Sequence, residues 1–318
     1  MSRPRIVCLV GPTASGKSAL ALEVAERLGA EIVSADSRQL YRGLDVGTAK
    51  PTPAERARVP HHCLDLADAG VVFDAAHFRA AASAAIADVV GRGRPVLVVG
   101  GTGLYVRVLL RGLCAAPPRA PALRDALVER MAARGAAVMH RGLATIDPQA
   151  ARRISPRDGV RVVRALEVAL ATGTPLSTWQ ARHAFAESQY ESLIIGLSRP
   201  TPELDRRIAA RAEAMLAAGF LDEVRALRAR GLSPDMPALR AVGYREMLAC
   251  VEGRLDEAAA LAATVRATRQ FAKRQRTWFR REPEIRWRHP ESEQGLVMGE
   301  IDEFLRASAA RRVRTTAS

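Results

Sequence analysis

An apolar run from Ile6 to Val10 leads directly into a glycine-rich segment that ends in a lysine and a serine. The segment consists of Gly11, Pro12, Thr13, Ala14, Ser15, Gly16, Lys17 and Ser18. Glycines at this spacing let backbone N–H groups turn inward around phosphate oxygens, and a helix that follows points its positive end at the same place. The lysine can reach the terminal phosphate of a ligand, and the serine hydroxyl can hold Mg²⁺. The sequence therefore predicts a phosphate-binding loop, with Ser18 as a metal ligand.

The residues after this loop support that interpretation. Leu20, Val24 and Leu28 fall on one face of a predicted helix, so the loop has a strand before it and a helix after it. The structural alternative is a glycine-rich turn that binds no ligand. The motif leaves open which phosphate compound is bound.

A second group of polar residues follows the second predicted strand, at Asp36, Ser37, Arg38 and Gln39. Ligands bind at the carboxyl ends of the strands in open α/β sheets, so this group is expected beside the phosphate loop. Asp36 can hold Mg²⁺ or act as a general base, and Gln39 can hydrogen-bond the edge of a nucleic-acid base. The alternative for Asp36 is a helix N-cap, a position that aspartate favours.

The third core strand ends in glycines and a threonine, at Gly100, Gly101, Thr102 and Gly103. Nucleotide hydrolases carry a second, acidic Mg²⁺ ligand at this strand end, and this chain has none there. The pattern therefore argues against an ordinary ATPase or GTPase. Either these glycines serve close packing alone, or a second stretch of backbone approaches the ligand. In the second case Thr102 faces the same crevice as Asp36.

The charge balance points to a polyanionic partner. Lys and Arg number 48 and Asp and Glu number 34 in the 318 residues, which gives a formal charge of +14 at pH 7. A field of this sign attracts nucleic acid and raises its encounter rate. The alternative is an arginine-rich composition with no specific partner, so the placement of the charges must decide.

Five cations near the end of the chain recur at intervals of three and four residues, at Arg266, Arg269, Lys273, Arg276 and Arg280. This spacing places them on one face of a helix, where their mutual repulsion is unfavourable unless anions neutralise their charge. The row therefore predicts contact with a phosphate backbone, and a merely solvated face is the alternative. Phe271 and Trp278 mark another face of that helix, where core packing is expected.

The order of predicted elements indicates an α/β fold with an insertion. Short apolar runs alternate with helical stretches, which favours a parallel sheet covered by helices. From about residue 117 only helical spacing remains, with Gly135 and Gly173 as stops and Pro148 and Pro156 as helix starts. A buried-strand pattern returns at 193–197. We expect an α/β core over 1–116 and 193–318, and an inserted helical subdomain over 117–192.

Cysteine spacing and the lack of targeting segments predict a cytoplasmic protein. The four cysteines are far apart, which fits reduced thiols, and no signal-like start or membrane-length apolar run is present. The run His61, His62 and Cys63 has ligand-type side chains, but adjacent residues do not converge easily on one ion, so a loop is expected there. Nothing demands a partner chain, so a monomer is expected. Residues 307–318 are predicted to fray.

Together these motifs are similar to those of the tRNA dimethylallyltransferase family, also called IPP transferases, and the likeness runs from about Arg5 to Trp287. The motifs that carry it are GPTASGKS at 11–18, DSRQLY at 36–41, DVGTAKP at 45–51, GGTGLY at 100–105, RALEV at 164–168, VGYRE at 242–246 and ATRQFAKRQRTWFR at 267–280. A phosphate loop alone is common, whereas this ordered set is not. The resemblance implies a P-loop NTPase-like core with an inserted all-helical subdomain, and both the insertion and the C-terminal helices would contact tRNA.

The resemblance also implies a reaction. A dimethylallyl group would pass from dimethylallyl diphosphate to N6 of the adenosine on the 3′ side of the anticodon, in tRNAs that read codons beginning with U. The adenine would be flipped out of the anticodon loop, because its exocyclic nitrogen is otherwise stacked. Asp36 would accept the N6 proton, Lys17 would stabilise the departing diphosphate, and Mg²⁺ near Ser18 would offset its charge. Thr102 is assigned to the catalytic group by the same match.

The motif match further assigns residues to the two substrates. The loop at 11–18 would hold the diphosphate, with Arg207 or Arg211 as an added clamp. The implied tRNA contacts are Asp36, Ser37, Arg38, Gln39, Thr102, Arg124, Val160, Arg161, Val162, Val163, Arg164, Arg240, Ala241, Val242, Gly243, Tyr244, Arg245, Lys273, Arg274, Gln275, Arg276, Thr277, Trp278, Phe279 and Arg280. The chain departs from the family pattern at Val160, where the family usually has glutamine.

Three other functions stay open at this point. A P-loop kinase with Asp36 as its base would turn over ATP. A prenyltransferase that acts on free AMP would share the core but would not require the helical insertion or the row of cations. An RNA-binding module with a purely structural phosphate loop would lose nothing if Asp36 became asparagine.

Overall fold

A computed structural model describes residues 3–114, 116–117, 119–183 and 188–315. Six strands of this part form one sheet, in the order β3-β2-β4-β1-β5-β6, and every neighbouring pair is parallel. The strands are β1 Arg5–Val10, β2 Glu31–Ser34, β3 His61–His62, β4 Val96–Gly100, β5 Glu191–Leu197 and β6 Arg286–Arg288. The predicted α/β class with a parallel sheet is confirmed.

Helices connect the strands and form the rest of the regular structure in the described residues. They are α1 Lys17–Leu28, α2 Pro53–Arg58, α3 Ala75–Gly91, α4 Gly103–Arg111, α5 Pro121–Arg134, α6 Ala136–Ile146, α7 Pro148–Arg153, α8 Gly159–Thr172, α9 Leu176–His183, α10 Thr201–Ala217, α11 Phe220–Ala229, α12 Tyr244–Val251, α13 Glu257–Phe279 and α14 Gln294–Thr315. None of them combines the length and the apolar character that crossing a membrane requires.

The central strands are mainly apolar, as expected for a sheet that helices cover on both faces. Every residue from Ile6 to Val10 in β1 is fully buried. On one face, Leu20 and Val24 of α1 and Val297 and Ile301 of α14 join the strands in one core cluster. The helix α3 packs on β2 and β4. This burial fixes the strand ends, and the loops that follow them are the ones predicted to carry the chemistry.

The chain forms two compact units, one of Met1–Leu110 with Gln189–Ser318 and the other of Arg111–Ser188. The sequence placed the limits of the insertion at 117 and 192, but β5 begins at Glu191, so residues 191 and 192 belong to the sheet. In the described part of 111–188, helices are the only regular elements.

A buried carboxylate organises the second unit. Glu167 is 1% exposed, its Oε1 accepts the Ala120 N–H at 2.8 Å, and its Oε2 accepts from Arg124 and Arg164 at 3.1 Å each. Burial alone raises the pKa of Glu167, but these donors lower it overall. Arg164 also donates to the Pro117 carbonyl at 2.6 Å. Two of the arginines predicted to contact tRNA therefore belong to the internal structure of this unit.

Four local expectations differ from the structure. His61–His62 forms the short edge strand β3, where a loop was predicted, and β6 was not predicted at all. Pro156 lies in a turn, and α8 starts only at Gly159, capped by Asp158. The last helix continues to Thr315, across most of the segment expected to fray; residues 316–318 lie outside the described part.

Candidate active site

Three strand ends, those of β1, β2 and β4, lie side by side, and the loops after them face one crevice. The Ala35 N–H donates to the Val99 carbonyl at 2.8 Å, and the Thr102 N–H donates to the Ala35 carbonyl at 3.3 Å. A Cβ on Gly100 would lie only 2.1 Å from that Ala35 oxygen, so a side chain does not fit at position 100. Close packing of two strand ends thus explains the first glycine of the β4 motif.

The phosphate loop has positive φ angles at several positions. Gly11 and Gly16 have φ angles of 147° and 99°, and Ala14 adopts a left-handed conformation with φ 61°. A Cβ on Gly11 would lie 2.5 Å from the Leu197 carbonyl oxygen at the end of β5. Backbone of this kind forms a concave nest of N–H groups, which favours anions.

Asp36 lines the cavity beside this loop. Its Oδ1 accepts the Arg38 N–H at 2.8 Å, while Oδ2 makes no hydrogen bond within the described residues. The residues after Asp36 form a turn rather than a helix, so the N-cap alternative is wrong. One carboxylate oxygen is therefore held by the backbone, and the other is available to a ligand.

Thr102 positions the turn that carries Asp36. Its Oγ1 accepts the Ser37 N–H at 3.0 Å and donates to the Ser37 hydroxyl at 3.3 Å. These two bonds hold the turn that carries Asp36, and the catalytic role of Thr102 stays a prediction.

A cavity of about 350 Å³ joins these groups to the C-terminal helices. Its volume is typical of a site for a small ligand. The loops contribute polar groups, α10 contributes apolar groups and a cation, α11 contributes an aromatic ring, and α13 contributes an aromatic ring and a cation. The residues that matter most here are Thr13, Lys17, Asp36, Arg211, Met215, Phe220, Phe271 and Arg274.

Two cations in the cavity lack sufficient counter-charge. Lys17 Nζ donates to the Pro12 carbonyl at 2.6 Å, and burial together with the nearby Arg211 lowers the pKa of Lys17 to about 7, although Asp36 opposes the shift. Burial also lowers the pKa of Arg211, which makes no hydrogen bond or ion pair with any residue that the structure describes. Such a pair of groups favours a bound anion.

A third cation, Arg207, lies on the outer side of the loop, in a second pocket that Arg211 also lines. Its Nε donates to the Ala14 carbonyl at 3.0 Å, and its Nη1 lies 3.9 Å from Glu291. Arg207 is therefore partly engaged, whereas Arg211 reaches both pockets. Which of the two arginines would clamp a diphosphate stays a prediction.

Arg199, which no sequence motif marked, also supports the phosphate loop. Its side chain is 2% exposed, its Nε donates to the Ser15 carbonyl at 3.1 Å, and it pairs with Glu203 and Glu291. An isolated arginine after a strand belongs to no motif, so its partners became evident only in the folded chain.

The metal prediction can be tested by the chemistry of the residues present. The described residues contain no group of three or more His, Cys, Asp or Glu that could hold an ion. Mg²⁺ that accompanies a phosphate compound needs only one or two protein ligands, because phosphate oxygens and waters complete its shell. The exposed Ser18 hydroxyl at the start of α1 and the Asp36 carboxylate have suitable chemistry. The site therefore fits Mg²⁺ brought by a phosphate ligand.

Comparison with known proteins decides the family. A sequence profile described as IPP transferase matches residues 39–282, more than half of the chain. A tRNA dimethylallyltransferase from Geobacter metallireducens is 50% identical over 285 residues, which cover 90% of this chain and 92% of the relative. The chain belongs to the IPP transferase family. The resemblance predicted from the motifs is confirmed.

Further IPP transferases extend the match. A tRNA dimethylallyltransferase from Anaeromyxobacter sp. strain Fw109-5 is 53% identical over 289 residues, 90% of this chain and 95% of the relative. The full-length tRNA isopentenylpyrophosphate transferase from Bacillus halodurans superposes with a TM-score of 0.71 at 33% identity, over 98% of this chain and 99% of that one. A eukaryotic dimethylallyltransferase captured acting on tRNA superposes with a TM-score of 0.74 at 26% identity, over 87% of this chain and 70% of that one.

Each IPP transferase motif is a run of consecutive residues. In the structure, neighbouring residues of such a run lie on different faces of a helix. Lys273, Arg274 and Thr277 of α13 are exposed, as is Arg280 at its C-cap. Arg276 is partly exposed. Arg240 and Arg245 are exposed near α12, and Val242 and Gly243 line the cavity. Trp278 is partly buried beneath the Arg107 guanidinium, 4.6 Å from its ring.

Several predicted tRNA contacts are buried within the protein. Five of them are core residues with at most 2% exposure: Val162, Val163, Ala241, Tyr244 and Phe279. Ala241 nevertheless lines the cavity. Gln39 is engaged inside the protein, since it donates to the Thr48 and Ala49 carbonyls and its Oε1 accepts from Ser34. Gln275 is 7% exposed and is likewise bonded internally.

Two predicted contacts of the helical unit, Val160 and Arg161, lie on its surface. Val160 in the first turn of α8 is 71% exposed, although it is apolar. Its neighbour Arg161 is exposed and forms a 3.0 Å ion pair with Asp158. These two side chains are accessible to a partner, in contrast to Val162 and Val163.

The pKa of Lys17 leads to a prediction about anion binding. A bound diphosphate favours the charged ammonium and must raise its pKa, so binding takes up a proton when the pH is above about 7. The affinity advantage of the wild type over Lys17→Met is therefore expected to be constant below about pH 6 and to fall by up to about tenfold per pH unit above 7. Calorimetric titration of both proteins with inorganic diphosphate from pH 6 to 9 measures this ratio.

Dividing by the variant removes the titration of diphosphate itself, which is the same for both proteins. A ratio that stays constant across the whole range would show that Lys17 is fully charged before the anion binds, contrary to this expectation.

Proposed function

We propose that this protein transfers the dimethylallyl group of dimethylallyl diphosphate to N6 of the adenosine on the 3′ side of a tRNA anticodon. The observation that carries the proposal is one cavity in which a carboxylate, Asp36, faces two cations without adequate counter-charge, Lys17 and Arg211. The cations suit a diphosphate leaving group and the carboxylate suits a proton acceptor. The two relatives named tRNA dimethylallyltransferase support the same reaction.

The phosphate loop suits a diphosphate that leaves without being hydrolysed. Its amide nest and Lys17 would hold the oxygens, and Arg211 would neutralise further charge from α10. The glycines at Gly100 and Gly101 leave no carboxylate at the end of β4, where a nucleotide hydrolase would hold its metal. This favours a substrate whose bond to the diphosphate breaks at carbon rather than at phosphorus.

The proposed reaction balances with these groups alone. The N6 nitrogen of the adenine attacks the allylic carbon, a new C–N bond forms, and the bond between that carbon and the diphosphate oxygen breaks. The bonding electrons leave with the diphosphate, whose added charge Lys17 and Arg211 stabilise. The N6 proton passes to Asp36 Oδ2, which the backbone leaves unoccupied.

Mg²⁺ fits this scheme as a companion of the donor. Ser18 has an oxygen ligand of the kind that the ion prefers, and the diphosphate would supply more. When bound, the ion would offset negative charge on the leaving group. The phosphate loop and the arginines of α10 would position the dimethylallyl diphosphate.

The acceptor would reach the cavity from the side of α13. Phe271 and Arg274 line that part of the cavity, and a flipped adenine can stack on an aromatic ring. Lys273, Thr277 and Arg280 are exposed on the same helix, and the net charge of +14 favours RNA. We propose that the helical unit 111–188 also contacts tRNA, through Arg161 and its exposed neighbours. Such an enzyme would act in the cytoplasm.

The proposal is tested with isotope-labelled dimethylallyl diphosphate and Mg²⁺, offered with unmodified tRNA that has adenosine beside its anticodon or with AMP. Label on that adenosine of the tRNA is the expected result. Label on AMP would instead identify an enzyme for free nucleotides. Phosphate release from ATP without any prenyl transfer would identify a kinase or a hydrolase.

Asp36→Asn is expected to lower the transfer rate about a hundredfold or more, because it removes the proton acceptor. Asparagine keeps an Oδ1 that can accept the Arg38 N–H, so the turn after β2 should persist. The affinity for tRNA is therefore expected to change by less than about threefold. Single-turnover transfer and a filter-binding assay measure the two effects separately.

Asp222→Asn provides the matched control, since Asp222 is an exposed carboxylate on α11 whose one ion pair within the described residues is with Arg225. Its transfer rate should equal that of the wild type. A wild-type transfer rate in Asp36→Asn would show that Asp36 is not the base.

The row of cations on α13 contains two kinds of residue, which allows a comparison within one helix. Lys273 and Arg280 are exposed, and their side chains make no hydrogen bond or ion pair within the described chain. Arg276 donates to the Thr201 hydroxyl at 2.7 Å, and Arg269 lies 3.7 Å from Asp205. The unpaired cations have more to gain from RNA phosphates.

The double variant Lys273→Gln with Arg280→Gln is expected to reduce the slope of log affinity for tRNA against log salt concentration by about two, one for each lost phosphate contact. The double variant Arg269→Gln with Arg276→Gln should reduce it less. Binding measured from about 50 to 200 mM salt gives both slopes. An unchanged slope in the first variant would mean that these cations only face solvent.

A further inference from the structure

Gln275 links two catalytic loops to the helix α13. Its Oε1 accepts the Thr13 N–H of the phosphate loop at 2.8 Å, and its Nε2 donates to the Gly101 carbonyl after β4 at 3.0 Å. A donor on one side and an acceptor on the other permit only one orientation of the carboxamide. The side chain is 7% exposed, so water does not compete easily for either bond.

Close contacts press α13 against the loop after β4. A Cβ on Gly101 would lie 2.2 Å from Gln275 Nε2, and one on Gly103 would lie 2.0 Å from the Trp278 ring. These two contacts are one helical turn apart on α13. Arg107 covers the Trp278 ring and pairs with Glu282, which fixes the end of the helix further. The inner face of α13 therefore cannot move without moving the loop after β4.

The outer face of the same helical turn carries the side chains proposed for RNA. Lys273, Arg274 and Thr277 are exposed, and each lies within two residues of Gln275. A helix turn moves as one body, so a shift imposed on the outer face also shifts the carboxamide. Diphosphate binding would also affect the bond between Thr13 and Gln275, because the Thr13 N–H belongs to the nest that would hold the diphosphate. An anion that draws on this N–H competes with Gln275.

We propose that Gln275 is a positioning residue that couples the two substrate sites, so that RNA on α13 and diphosphate in the phosphate loop change each other's affinity through this one carboxamide. The inference rests on the proposed function, because it takes RNA and a diphosphate as the two ligands. Linkage requires the effect to be reciprocal, with the same factor in both directions.

The test measures the dissociation constant of inorganic diphosphate with and without a saturating anticodon stem-loop RNA, and that of the RNA with and without diphosphate. The variant is Gln275→Met, which keeps the volume of the side chain and removes both hydrogen bonds. The matched control is Gln270→Met, at an exposed position of the same helix. Direct repulsion between the two bound anions is the same in all three proteins, so the ratio of coupling factors isolates Gln275.

We expect the coupling factors of the wild type and Gln275→Met to differ by about fivefold or more, the lower end of typical allosteric coupling. Gln270→Met should match the wild type within about twofold. A second variant, Gln275→Glu, keeps an acceptor for the Thr13 N–H but turns a carboxylate oxygen toward the Gly101 carbonyl. It should also lose coupling, because the link needs both bonds. Thermal unfolding confirms that each variant is folded.

Equal coupling in the wild type and in both Gln275 variants would overturn the inference and leave the proposed function intact. Failure of wild-type protein to bind either ligand would overturn the proposed function, and the inference with it. A loss of transfer activity in Gln275→Met with unchanged coupling would also count against the inference, since it would show a contribution to chemistry alone.

Discussion

The positive charge that Lys17 and Arg211 bring into the cavity is the constraint around which the site is arranged. Burial lowers the pKa of both groups, and within the described residues Asp36 is the acid that opposes the shift at each. A bound anion relieves this strain, so the free protein is poised for a phosphate compound. Asp36 has a different requirement: as the proposed base, it needs one carboxylate oxygen that accepts no hydrogen bond from the protein. The Arg38 N–H satisfies only the other oxygen.

The scaffold supports this arrangement from both sides of the phosphate loop. Arg199 holds the Ser15 carbonyl from behind, and Gln275 holds the Thr13 N–H from α13. Glycines are required wherever these loops approach one another, at Gly11 against β5 and at Gly100 against Ala35. The nest is therefore preformed by contacts from several elements, which lowers the cost of ordering it when an anion binds.

The sequence predicted the features whose information is local. The phosphate loop, Asp36 and the parallel sheet follow from short motifs and apolar runs, and the family followed from their order. Features that depend on distant partners were missed: Arg199 pairs with Glu291, which is 92 residues away, and Thr13 bonds Gln275 at a separation of 262. The motif match also could not separate the faces of a helix, which is why Val162 and Phe279, both buried, stood beside accessible residues in the predicted tRNA surface.

The charge balance also bears on the proposed chemical step. While Asp36 is ionised, it helps to keep Lys17 protonated, since its charge raises the lysine's pKa. When Asp36 accepts the N6 proton it loses that charge, and at the same moment the diphosphate gains negative charge as its bond to carbon breaks. The negative charge on the diphosphate therefore replaces that of Asp36 in stabilising protonated Lys17. The protein need not rearrange its charges during transfer. A neutral base would become cationic in this step and add to the positive charge beside Lys17 and Arg211. An aspartate avoids that cost, because it becomes neutral when it accepts the proton.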